Sequence, residues 1–89
     1  MAAFIITYDL RQSGQNYDDL ISEIKRYGTW CHVQGSVWVI VSNDTAVSIR
    51  DNLMSVIDQN DTVFVCGLTR NSAWTGLSAE ISGWLQDNL

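Results

Sequence analysis

Four short runs rich in β-branched and aromatic residues, Phe4 to Asp9, Thr29 to Val33, Ser36 to Val41 and Thr62 to Leu68, are separated by two stretches of helical periodicity in the order β-α-β-β-α-β. That order is the split βαβ, or ferredoxin-like, arrangement: an α+β fold with a four-stranded antiparallel sheet. In the first helical stretch, from Asn16, apolar Tyr17, Leu20, Ile21, Ile24 and Tyr27 recur at threes and fours. Asn16 can cap it, Asp18 and Asp19 suit its start, Lys25 and Arg26 suit its end, and Gly28 follows. The second spans about Asp44 to Ile57, with Ala46, Ile49, Leu53 and Val56 or Ile57 on one face, and stops at the polar break 58–61. Gln34-Gly35 predicts a tight hairpin between the second and third strands, glycine supplying the positive φ. A last helix, Ser78 to about Asn88, presents Ile81, Trp84 and Leu85 on its apolar side. Residues 1–70 therefore read as the ferredoxin-like domain and 71–89 as a C-terminal loop and helix appended to it.

A chain of 89 residues, 46% of them hydrophobic, buries roughly 60 to 65% of its unfolded surface, so its core is thin. Both sheet faces are apolar. Strand one sets Phe4, Ile6 and Tyr8 against Ile5, and strand three sets Val37, Val39 and Val41 against Trp38 and Ile40. Two helices cover one face, so a partner sheet or the terminal helix must cover the other, and a homodimer is the favoured expectation. A net charge of −5 has the wrong sign for an indiscriminate nucleic-acid coater; contact with nucleic acid must rest on a few placed cations or a bound metal. No apolar stretch is long enough to span a membrane, and a basic leader is absent, which points to a cytoplasmic protein. Cys31 and Cys66, each in an apolar run, read as buried reduced thiols.

The topology collects Asp9, Arg11, the 34–36 turn, Asp58 and Asp61 at one edge of the sheet. Asp9 ends an apolar strand, where a carboxylate needs water, a hydrogen-bond donor or a metal. It is either a solvated strand end or cap, or a functional group. Mg²⁺ keeps most of its waters, so two Asp9 side chains across a dimer axis would suffice to hold it. Ser36 and Arg11 are the candidates to position a phosphate. His32 is the only histidine, and as strand neighbours Cys31 and His32 point to opposite faces, which disfavours a shared zinc. Trp30, Trp38, Trp74 and Trp84 lack interleaved cations and read as packing residues rather than base-stacking platforms. The polar loop 69–76 around Trp74 either anchors the tail or meets a partner.

The strand ending Thr7-Tyr8-Asp9-Leu10, then Tyr27-Gly28, then Gln34-Gly35-Ser36-Val37-Trp38, resembles CRISPR-associated protein two, the small subunit of the spacer-acquisition complex, over about 65 of the 89 residues. Tyr27-Gly28-Thr29-Trp30-Cys31-His32 is similar to short stand-alone bacterial proteins labelled SinR-like. The resemblance implies a ferredoxin-like homodimer joined through its sheets, with Asp9 of each chain facing a divalent metal in members described as nucleases. Val39 stands where an acidic residue is common in the family, and a helix replaces the terminal strand. The expectation is a homodimeric, Mg²⁺-dependent endonuclease or phosphodiesterase acting on nucleic acid, with Asp9, Ser36 and Arg11 as its site. The alternatives are a non-catalytic dimer that binds a protein partner or a small nucleotide, and an architectural binder of duplex DNA.

Overall fold

The computed structural model describes residues 1–10 and 17–89. Its elements are β1 (Ala2–Asp9), α1 (Tyr17–Lys25), β2 (Thr29–Gln34), β3 (Val37–Ser42), α2 (Ala46–Met54), β4 (Thr62–Gly67) and α3 (Ala79–Asn88). The four strands form one antiparallel sheet in the order β2-β3-β1-β4, the ferredoxin-like arrangement with a helix added at the C-terminal end. Asn16, expected to cap α1, lies outside the described residues.

Element ends follow local chemistry. Gly28 takes a left-handed φ of 89°, and its N–H donates to the Lys25 carbonyl at 3.0 Å, which stops α1. The β2–β3 turn is Gly35-Ser36, one residue later than expected, because Gln34 still pairs with Val37. Gly35 supplies the positive φ there. Helix α2 is shorter than its periodicity suggested. The Thr45 hydroxyl accepts from the Ser48 N–H at 3.1 Å and caps the helix, so it begins at Ala46. At the other end the N–H groups of Ser55 and Val56 reach back only three residues, to the carbonyls of Asn52 and Leu53, and tighten the last turn. Val56 and Ile57 still pack on the core although they lie past the helix.

Strand alternation divides the interior into two layers. Phe4, Ile6, Tyr8, Trp38 and Ile40 meet Leu20 and Ile24 of α1 and Ile49 and Leu53 of α2 in the main core. On the opposite face Ala3 and Val39 pack with Leu85 of α3, joined by Val33, Val41, Ile81 and Trp84. The terminal helix therefore supplies cover for the second face. The loop before it is drawn in as well, since the indole N–H of Trp74 donates to the Ser82 hydroxyl at 3.1 Å, and Arg70 Nε donates to the Leu89 carbonyl at 3.3 Å.

That cover stops short of β4. Phe64 is 61% exposed, and Cys66, two residues on, is exposed as well. Cys31 is buried as expected, but Cys66 is not a core thiol: alternation sends it with Phe64 to the part of the face that α3 leaves open. None of the described helices is long and apolar enough to cross a membrane.

Candidate functional site at the end of the central strand

Asp9 is the last residue of β1, a strand with neighbours on both sides. On one side it pairs with Thr62, whose hydroxyl donates to the Asp9 main-chain carbonyl at 3.5 Å, leaving the carboxylate out of that contact. On the other side the N–H of Tyr8 donates to the Ser36 carbonyl at 3.3 Å, so Ser36 stands beside the residue before Asp9. Asp9 is exposed, and by alternation it shares the face of Ala3, Ile5 and Thr7, away from α1 and α2.

The end of the sheet thus sets Asp9 beside the start of β4, while Ser36 is joined to it only through the main chain of Tyr8. Asp58 and Asp61 precede β4 at that end as well, as the topology implied, and Asp61 uses its carboxylate on the local backbone. The Asp58 N–H donates to Asp61 Oδ2 at 2.9 Å, closing the turn that feeds β4, and Asp61 is buried. Arg11, the expected phosphate-positioning cation, lies outside the described residues.

An exposed carboxylate with room for waters is the hard-oxygen donor that Mg²⁺ accepts. One chain offers only one such group at the end of β1, and among the described residues no three His, Cys, Asp or Glu side chains converge as ligands. Cys31 and His32 project to opposite sides of β2. Cys31 faces the α3 layer, and the His32 ring lies parallel to Trp38 at 4.1 Å, within 2°. His32 Nε2 is 2.6 Å from the Gly35 carbonyl, which ties the imidazole to the β2–β3 turn.

The described cations are engaged within the chain. Lys25 Nζ sits 4.9 Å from the Trp30 ring centroid, Arg26 pairs with Glu23 at 3.2 Å, Arg50 with Asp51 at 2.8 Å, and Arg70 with the Leu89 carbonyl. These surface pairs are weak individually, but among the described residues no row of free positive charge lies along Asp9. Trp38 is 1% exposed, and Trp74 and Trp84 pack against the Ala3, Val39 and Leu85 layer, in keeping with their reading as packing residues; Trp30 stands half open on β2.

Two features were missed at the sequence level, the exposure of Phe64 and that of Cys66. Thr62 to Gly67 is apolar at nearly every position, so its pattern carries no sign of which side meets water.

The family model described as CRISPR associated protein Cas2 matches residues 1–75, which takes in β1 through β4 and most of the loop after them and leaves α3 beyond the match. Sheet order, the strand ending in Asp9 and the matched span agree: the chain belongs to the CRISPR associated protein Cas2 family.

Proposed function

We propose that the protein acts as a homodimer on nucleic-acid phosphodiester bonds, with Asp9 of two copies holding Mg²⁺ between them. The observation that carries this is the position of Asp9: an exposed carboxylate closing the central strand, on the same face as the open Phe64 and Cys66 surface of β4. A second copy seated on that surface buries the exposed aromatic ring and brings two Asp9 carboxylates toward one axis. Magnesium, when bound, supplies charge for phosphoryl oxygens and lowers the pKa of a bound water. The chain's own part is to fix the Asp9 backbone by its pairing with Thr62, with Ser36 and Arg11 as the residues to position a phosphate.

The test is cleavage of single- and double-stranded DNA and RNA with Mg²⁺, Mn²⁺ or chelator, by size-purified protein beside Asp9→Asn, with the mass measured by light scattering. Metal-dependent cleavage lost in the variant, from a species of twice the chain mass, supports the proposal. Equal traces from both proteins indicate contamination and count against it.

A non-catalytic dimer that binds a protein partner is favoured by one separate observation, which counts against an anionic small nucleotide: the described Lys and Arg side chains are occupied within the chain, in a molecule of net charge −5. Absence of cleavage with binding retained would select it. Binding to duplex DNA as an architectural spacer would weaken steeply between low and moderate salt.

A further inference from the structure

The outer edge of the sheet carries a pocket that the Asp9 chemistry does not use. It has a volume of about 440 Å³ and lies between β2 and α3. Cys31 forms its β2 wall, with Trp30 and His32 on either side along the strand, and Glu80, Ile81 and Trp84 line it from α3. The volume falls within the range of small-molecule sites.

The lining selects by charge. Glu80 is the only carboxylate among the described residues that form it, and no Lys or Arg contributes, so a phosphate or carboxylate ligand would meet a like charge with no counter-ion. Burial, and after it the charge of Glu80, pushes the Cys31 thiol up and keeps that wall neutral. Trp84 lines the α3 side, and an indole ring attracts cations to its face through the ring quadrupole. Lys25 is engaged elsewhere, its Nζ 4.9 Å from the Trp30 centroid and 5.9 Å from that of Trp38. Lys25 ends α1, on the opposite side of the sheet from α3, so it does not neutralise Glu80.

We propose that the pocket between β2 and α3 binds a small organic cation, a quaternary ammonium or protonated alkylamine head, with Trp84 supplying an aromatic face and Glu80 the counter-charge. The site needs neither Asp9 nor a second copy, so it stands or falls independently of the function proposed above. Ile81 and the indole make the walls apolar, which strengthens attraction to Glu80 relative to open water.

The experiment is titration of the full-length chain with choline and with its uncharged carbon isostere, neohexyl alcohol, followed by calorimetry and by the indole N–H resonance of Trp84. Spermidine serves as a second arm, to separate a primary amine from a quaternary head. The expected result is saturable binding of choline or spermidine that shifts the Trp84 resonance, with the neutral isostere weaker by about fivefold or more. Glu80→Gln and Trp84→Leu should each weaken the cation by a similar factor, about fivefold. Glu80 is exposed, so its variant keeps the fold; if Trp84→Leu does not fold, Glu80→Gln and the isostere comparison decide. No saturable binding of either cation, equal binding of the isostere, or unchanged affinity in Glu80→Gln would each overturn the proposal.

Discussion

The indole N–H of Trp38 donates to the hydroxyl of Tyr8 at 3.3 Å, a buried bond between β3 and β1 one residue short of Asp9. Both rings lie in the main core, so neither polar tip can turn to bulk water instead. Tyr8→Phe removes the acceptor and strands the indole N–H. It should cost about 1 to 3 kcal/mol, the penalty of an orphaned buried donor rather than of an average hydrogen bond. Urea unfolding checks this; a midpoint equal to that of the wild type would mean that the indole has another partner.

Asp9→Asn should leave the fold almost untouched, because the interaction that strand β4 makes with this residue uses its main-chain carbonyl. The expected pattern is an unchanged thermal midpoint together with loss of metal-dependent cleavage and of any shift in resonances near the end of β1 on adding Mg²⁺. A clear loss of stability would reassign Asp9 as a structural cap.

Leu85 is 4% exposed and is the buried residue that α3 contributes to the second layer. Leu85→Ala should destabilise by about 2 to 5 kcal/mol, the range for emptying a buried leucine site. Denaturant unfolding measures it. A cost well below that range would mean that α3 rests loosely on the sheet and that Val39 and Ala3 are covered by something else.

The two thiols should behave differently. Cys66 is exposed on the single chain and Cys31 buried, so a thiol reagent at neutral pH and low protein concentration should modify Cys66 quickly, more slowly where a second copy covers the β4 surface, and Cys31 only as the protein opens. On the alkaline side, burial raises the Cys31 thiol, assisted by Glu80, and burial is the leading cause that raises Tyr27. For both groups the neutral form is the one the fold prefers. Their contribution is therefore complete below the ordinary values of 9.0 and 10.0 and is lost as pH rises through the raised folded ones. Stability should be flat with respect to these groups near neutrality and fall in that alkaline window, less steeply in Cys31→Ala. A curve that Cys31→Ala leaves unaltered would show that the thiol stays protonated or exposed throughout.

Most of the architecture was legible because periodicity and punctuation agreed. Leu20 and Ile24 at helical spacing, Gly28 after Lys25, and the alternation of Trp38 and Ile40 with Val39 and Val41 each point to the element and to the side that is buried. Helix ends were less legible, since Val56 and Ile57 continue the helical period of α2 while packing from outside the helix. The second face was the harder matter. Apolar residues on both sides of a strand say that something covers each side, but not whether the cover is the same chain, and Ile81, Trp84 and Leu85 suit either role. Asp9 could be located because a carboxylate ending an apolar strand is unusual, whereas the β2–α3 pocket could not, because Cys31 and Glu80 meet only through the docking of α3.

The docking of α3 also changes what a second copy has to contend with. A segment tethered by the short 68–78 connection is presented to its sheet at an effective concentration in the millimolar range, far above that of any free molecule in dilute solution. A copy approaching the β2–β3 half would have to displace a ligand that never diffuses away, while the β4 half is open to competition on equal terms. The tail thereby closes the β2–β3 half of that face to another sheet, and any self-association through this face would be left to the side on which Asp9 and Phe64 lie.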